Sequence, residues 1–291
     1  MIDGDHPSLC MPDGQKSCFA CCPPIRPAAY EHLTYTNIVK RILRENTADF
    51  DFRGEEVRPI TGYSCWALGY LDPEYKLIGC LLHPARHGGL DHRFRVDYGG
   101  KCGREICPEA KAFSLLSSPA SRFWIRLADG LDSFAYSSRK ANPLFHLLGW
   151  GRPLLSRIAE EERDKIPTRE SFLSGYVFFG TVLLPKGNAY VLRKVVVPGG
   201  IRLLKEEKFK CSFERFSMEL SKEFGRKTPP ASEAPASHLL DLEQDFKDFL
   251  RLHLGFTRIH LHEALLLKEK VDFRIESFRR RVNSKLLPVN S

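Results

Sequence analysis

The sequence predicts an α+β protein: a loop-rich, metal-bound cysteine-cluster domain over residues 1–118, then a mainly helical region over 119–291 with one β-hairpin. Three observations lead there. Eight of the nine cysteines lie between Cys10 and Cys107, leaving Cys211 alone. Phe209, Phe213, Phe216, Leu220 and Phe224 step by three or four, the period of a helix with one buried face. Tyr176–Leu184 and Ala189–Val197 are rich in β-branched and aromatic residues and are joined by Pro185-Lys186-Gly187-Asn188, the pattern of a hairpin over 176–197.

Composition bounds the function. With 291 residues, 43% of them hydrophobic, the chain can fill one large core or two modest ones, which excludes a disordered class. No apolar run reaches the ~20 residues of a membrane-crossing helix. Met1–His6 carries neither the basic nor the apolar region of a secretory signal, so a cytoplasmic location is expected. In a reducing cytosol, clustered cysteines are more often ligands than disulfides. The net charge of +8 is uneven: residues 1–118 hold 14 Lys and Arg against 15 Asp and Glu, and residues 119–291 hold 30 against 21. That surplus reads first as a solvated helical surface. The partner expectation is an unknown protein, with nucleic acid or another acidic partner the less favoured alternative.

In chain order, residues 1–17 read as a loop, and Pro23, Pro24 and Pro27 keep the next stretch out of a helix. A helix runs from Thr34 or Thr36 to Arg44 with Ile38, Ile42 and Leu43 as its stripe and Thr36 as its cap. Cys65–Leu68 and Leu77–Leu82 are short apolar pieces, each carrying one cysteine inward. Gly88-Gly89 and Gly99-Gly100 mark turns. A domain boundary falls at Ser117-Ser118-Pro119. Beyond it come a helix over Ala120–Tyr136, a charged helix over 154–165, the hairpin, and a helix over Lys205–Phe224 capped by Gly225. A Pro/Ala/Ser linker over 228–237 follows. Two last helices carry Leu239, Leu242, Phe246, Phe249 and His253, then Ala264, Leu267, Val271, Ile275, Phe278 and Val282.

The chemistry sits in Cys10, Cys18, Cys21, Cys22, Cys65, Cys80, Cys102 and Cys107, the metal-ligand candidates. Thiolates are soft ligands that select zinc, iron–sulfur clusters or copper(I). A CxxC step lets two thiolates meet one metal through a tight turn. Neighbouring side chains such as Cys21 and Cys22 diverge instead, which suits two adjacent sites or a polynuclear cluster. His83, His87 and His92 are secondary ligand candidates against a reading as solvated loop histidines. His260-Leu261-His262-Glu263 lacks the second half of a zincin motif, since position 266 is Leu266. GxSxG, P-loop and GxGxxG motifs are absent. Arg279-Arg280-Arg281 suits a helix C-terminus without any ligand.

Cys18-x-x-Cys21-Cys22, the middle cysteine, Gly79-Cys80-Leu81-Leu82-His83-Pro84-Ala85-Arg86 and Cys102-Gly103-Arg104-Glu105-Ile106-Cys107 together resemble the YkgJ-like cysteine-cluster family, described as zinc- or iron-chelating proteins. A similar cluster occurs in flagellin lysine N-methylases. The resemblance spans about residues 10–110. Cys10 stands seven residues ahead of Cys18 where the family spacing is two, and residues 87–101 read as an inserted loop. The resemblance implies a bound metal or iron–sulfur cluster. Three functions follow as expectations: an iron–sulfur protein in redox or an associated reaction, with 4Fe–4S the preferred cluster; a zinc-stapled interaction module; and an enzyme of the protein N-methylase kind.

Overall fold

The computed structural model describes residues 7–22, 31–51, 56–61, 64–104, 107–163, 168–226 and 242–286. These residues are 61% helix and 3% strand, so the protein is mainly helical and the α+β expectation is corrected. The chain divides into two compact units, residues 1–145 and 146–291. Residues 119–145, which the sequence groups with the C-terminal region, pack in the first.

In the first unit, helix α1 (Thr36–Ala48) buries Val39 and Leu43. Ile38, expected on the buried stripe, is 52% exposed. The inward face runs instead through Val39, Leu43, Asn46 and Thr47, because the last two are used by the neighbouring strand. Asn46 donates to the carbonyls of Cys65 and Leu68 at 3.0 and 2.8 Å, and the Thr47 hydroxyl accepts from Tyr70 N at 2.8 Å. Strands β1 (Leu68–Tyr70) and β2 (Ile78–Cys80) pair antiparallel with Leu68 opposite Cys80. Gly69 permits this packing: a Cβ there would stand 2.6 Å from Thr47 Oγ1 and 2.8 Å from Leu81. Cys65, Ala67, Leu68, Tyr70, Ile78, Leu82, Val96, Phe19 and Phe134 join α1 in one apolar core.

The chain then passes through short helices: α2 (Gly99–Arg104), α3 (Pro108–Ser114), α4 (Ser118–Ile125) and α5 (Ser133–Ser137). Ser118 and Pro119 open α4, with proline in the first turn where its missing N–H costs nothing. The single helix expected over Ala120–Tyr136 is interrupted at Gly130, whose φ of 78° a helix does not accept. Asp132 restarts the helix by accepting from Ala135 N.

Helix α6 (Leu144–Leu148) spans the division. The second unit continues with α7 (Arg152–Glu161), α8 (Arg169–Gly175), α9 (Pro185–Gly199), α10 (Glu207–Phe224), α11 (Gln244–Asp248), a π turn over Phe249–His253, and α12 (Leu261–Leu286). The hairpin expected over 176–197 is corrected: residues 177–180 make a 3₁₀ turn, 181–184 are irregular, and 185–197 lie in α9. Pro185 marks the first turn of a helix, where its fixed φ is pre-organised, and not a strand-joining loop. Tyr190, Val191, Leu192, Val195 and Val196 are all fully buried. A helix buried on nearly every side shows no polar face, and its valines imitate a strand.

The aromatic stripe of α10 is as expected, with Phe209, Phe213, Phe216 and Leu220 buried. Phe216 stacks on Phe278 of α12 at 4.2 Å between ring centroids. Gly225 does close α10, but with φ of −62°, outside the left-handed region. Its glycine is required for space, since a Cβ would lie 2.2 Å from the Ser221 carbonyl oxygen. On α12, Ala264, Val271, Ile275, Phe278 and Val282 are buried as expected. The linker 228–237 and Leu239 fall outside the described residues. Among those described, no helix is long and apolar enough to cross a membrane.

Candidate metal centre

The loop Leu9–Cys22 has no regular structure and is fastened by one face of α5. Ser17 N donates to Ser133 Oγ at 3.0 Å, Phe19 N to Ser137 Oγ at 2.9 Å, and Tyr136 OH to the Leu9 carbonyl at 2.8 Å. The Ser17 hydroxyl accepts from Ile78 N and donates to Ile78 O, at 2.6 and 2.8 Å, which ties the loop to β2. Phe19, 1% exposed, packs edge-on against Phe134. Each of these bonds is buried, so losing a partner would leave an unsatisfied group and cost about 1–3 kcal/mol. A second closure, from Cys18 N to Cys10 O at 2.8 Å, brings the first two cysteines together.

All eight cysteines of this unit are free thiols. Cys65 is buried in the apolar core, and Cys22 and Cys80 pack against it. Cys102 enters from α2, its carbonyl held by Arg93 Nη1 at 2.7 Å while the same guanidinium grips Asp91 at 2.8 and 2.7 Å. Cys107 precedes α3 and donates its thiol proton to Glu109 at 2.7 Å. Glu109 is in turn held by both guanidinium nitrogens of Arg139, just beyond α5. Cys21 and Cys22 stand with sulfurs 4.0 Å apart.

Enclosure sets the thiol chemistry. Burial pushes Cys18 up to about 12, and the charges of Cys21, Cys10 and Cys107 add to it. Burial pushes Cys65 up to about 12, with Cys80 and Cys102 adding. Cys80 rises to about 11 through burial and then Cys102, and Cys107 to about 11 through burial and its bond to Glu109. Within the vicinal pair, the hydrogen bond between the two sulfurs holds Cys22 up and Cys21 down, and the charge of Arg93 lowers Cys21 further. At neutral pH most of these sulfurs are therefore protonated and poor nucleophiles. A metal that binds them must displace their protons.

The donor set suits a soft metal: thiols gathered from five chain segments and two flanking guanidiniums to balance thiolate charge. As placed, no group of three or more His, Cys, Asp or Glu side chains among the described residues stands in position to hold an ion. The histidines are engaged elsewhere. His83 Nδ1 accepts from Ala85 N at 3.2 Å, His87 Nε2 meets the Leu81 carbonyl at 2.8 Å, and His92 stacks edge-on against His87 at 4.9 Å. Cys211 is exposed on α10, in the other unit. Sequence reasoning missed Ser17, Ser133, Tyr136, Ser137, Arg93, Glu109 and Arg139. One signal was present: Asp132 followed by hydroxyls at 133 and 137, which puts both serines on one face of a capped helix.

A scan against protein-family models, a search of curated proteins and a search of solved structures each return no match.

Proposed function

We propose that the first unit is a metal-binding module of the YkgJ-like kind, holding its metal through Cys10, Cys18, Cys21, Cys22, Cys65, Cys80, Cys102 and Cys107. One observation carries the reading: eight free thiols fall in one unit, with Cys22 and Cys80 packed against the core that holds Cys65 and the loop bearing four of them fastened by α5. Buried thiols are weak packing groups and weak hydrogen bonders. Eight free thiols in one unit, from the exposed Cys10 and Cys21 to the buried Cys65, are explained by a soft cation that converts them to thiolates and ties the loops together.

The leading occupant is an iron–sulfur cluster of the 4Fe–4S type, serving redox or an associated reaction; zinc in a purely structural role is the alternative. Arg93 and Arg139 have the same task in either case. Arg93 faces the charges of Cys80 and Cys102, and Arg139 those of Cys107 and Cys18. Elemental analysis and an absorption spectrum of protein purified without oxygen test the reading. Iron with visible absorption supports the cluster, and colourless protein with stoichiometric zinc supports the staple. Protein with full-length mass, intact helices and neither metal would overturn both.

A further inference from the structure

We propose that Cys21 and Cys22 are a thiol–disulfide exchange pair: a small-molecule disulfide joins them to each other and so withdraws both sulfurs from metal binding. The consequence for the metal rests on the reading above. The exchange itself rests on the geometry of the loop.

In an extended chain, adjacent side chains point to opposite faces. Cys21 and Cys22 depart from that rule. Phe19, Ala20, Cys21 and Cys22 form a turn, closed by the bond from Cys22 N to the Phe19 carbonyl at 3.0 Å. The turn brings the two sulfurs to 4.0 Å from each other. Both of its ends are fixed. Phe19 is 1% exposed, with its N–H on Ser137, and Cys22 packs against the core that holds Cys65. Cys21, at the third position of the turn, is exposed. The pair thus has an outer thiol that a dissolved reagent can reach and an inner one held beside it. Cys65 is buried and the Cys107 thiol is engaged by Glu109, so neither offers the same access. Cys10 is also exposed, but its link to Cys18 runs through backbone atoms.

The exchange has two steps, with RSSR the small-molecule disulfide. The Cys21 sulfur, as thiolate, attacks one sulfur of RSSR, whose S–S bond breaks and releases RS⁻ with the electron pair. The Cys22 thiol then gives its proton to that RS⁻, and its sulfur attacks Cys21 and expels the second RS⁻, which takes up the proton that Cys21 lost to water. Two cysteine thiols and RSSR become one disulfide and two RSH; the chain is oxidised by two electrons and RSSR is reduced by two. The positive charge of Arg93 acts on Cys21 and steadies the negative sulfur of the first step. Adjacent Cα atoms lie about 3.8 Å apart, closer than the roughly 4.4–6.8 Å usual across a disulfide. The bond is therefore strained and more easily reduced than a structural one, so excess thiol reopens it.

The test uses the full chain, purified without oxygen and titrated with oxidised glutathione. Disulfides and adducts are located by mass spectrometry, and released iron or zinc is followed with a coloured chelator. Wild-type protein should lose two hydrogens within the peptide that holds Cys21 and Cys22, release its metal in step, and recover both thiols in excess reduced glutathione. Cys22→Ser should stop at a mixed disulfide on Cys21. Cys21→Ser should react in this loop at least about tenfold more slowly, because the thiol that remains is the inner one. Cys211→Ser should match wild type in both readouts. A Cys10–Cys18 disulfide that forms first, or glutathione that stays on Cys21 while Cys22 is present, would overturn the pair. A vicinal disulfide formed with all metal retained would overturn the withdrawal of the two sulfurs. Protein that holds neither iron nor zinc, yet joins Cys21 to Cys22, overturns the metal-binding reading and leaves the exchange pair standing.

Discussion

The two units are nearly equal in length and are held by different physics. The second buries rings: Trp150 against Phe178, Phe178 against Phe209 and Phe213, and Phe216 against Phe278. The first has short helices, two three-residue strands and a cysteine loop held by serine hydroxyls. Their charge differs too, with 18 Lys and Arg against 17 Asp and Glu in residues 1–145 and 26 against 19 in 146–291. Burial of apolar area is non-directional and tolerates local error. Hydrogen bonds such as those of the cysteine loop, like the metal–thiolate bonds proposed above, are directional and fail one partner at a time. The second unit should therefore weaken by degrees, and the first should depend on a few atoms.

The largest expected effect separates the units outright. If the first unit holds a metal as proposed, removing it should cost folding free energy on the order of 10 kcal/mol for a tight thiolate site. Hydrogen exchange should then show residues 10–107 losing protection while α9, α10 and α12 keep theirs. Equal protection before and after verified metal removal would break the contrast. Next in size is a core deletion in the second unit. Phe213→Ala removes a fully buried ring and should cost about 3–5 kcal/mol, read from chemical denaturation followed by the helical signal. The metal content should not change.

Smaller is the loss of one fastening bond. Ser133 accepts from Ser17 N and donates to the Lys76 carbonyl, so Ser133→Ala strands the buried Ser17 N–H and removes a half-buried bond to Lys76. The expected cost is about 1–3 kcal/mol, with faster metal release to a chelator as the specific readout. A surface serine such as Ser212 replaced by alanine is the control, and equal release rates for the two would sink the role given to α5.

The smallest effect is on pH. His253 lies beside Phe249, its Nε2 meets the Ser217 carbonyl at 2.9 Å, and Ser217 in turn donates to Asn188. Burial holds its imidazole below the ordinary value of 6.5. The unfolded chain thus takes up the proton first as pH falls. Stability from this group is full above about 6.5 and declines as pH drops below it. The midpoint of thermal unfolding of the second unit should fall between pH 7 and pH 5. His253→Gln should flatten that slope, leaving the part due to His146, which burial shifts the same way. An unchanged slope would remove His253 from the account.

Legibility in the sequence follows the same division. The α10 stripe could be read because one face is buried and the other wet, so period and burial coincide. The α9 valines could not, because burial on nearly every side blurs the period and leaves mainly β-branched composition. In α1, the buried face includes Asn46 and Thr47, polar residues whose partners are strand carbonyls and amides more than 18 residues away. The clustering of eight cysteines stood out plainly. What holds them did not, since the bonds from Ser17 and Phe19 span 116 and 118 residues. A serine gives no sign in sequence of the distant amide it will accept from.

That long span has a consequence for synthesis. A growing chain presents all eight thiols once Cys107 has emerged, but Ser133, Tyr136 and Ser137 come later. At roughly 5–20 residues per second, those last 30 or so residues occupy about 2–6 s. Through that interval the loop lacks its α5 partners and has only its bonds to β2 to hold it, and the sulfurs are more open to oxidation or to pairing with the wrong neighbour. A fragment that stops at Ser118 never leaves that condition. The first unit is thus finished from its C-terminal end: α5 is the latch, and until it is made the cysteines are exposed cargo.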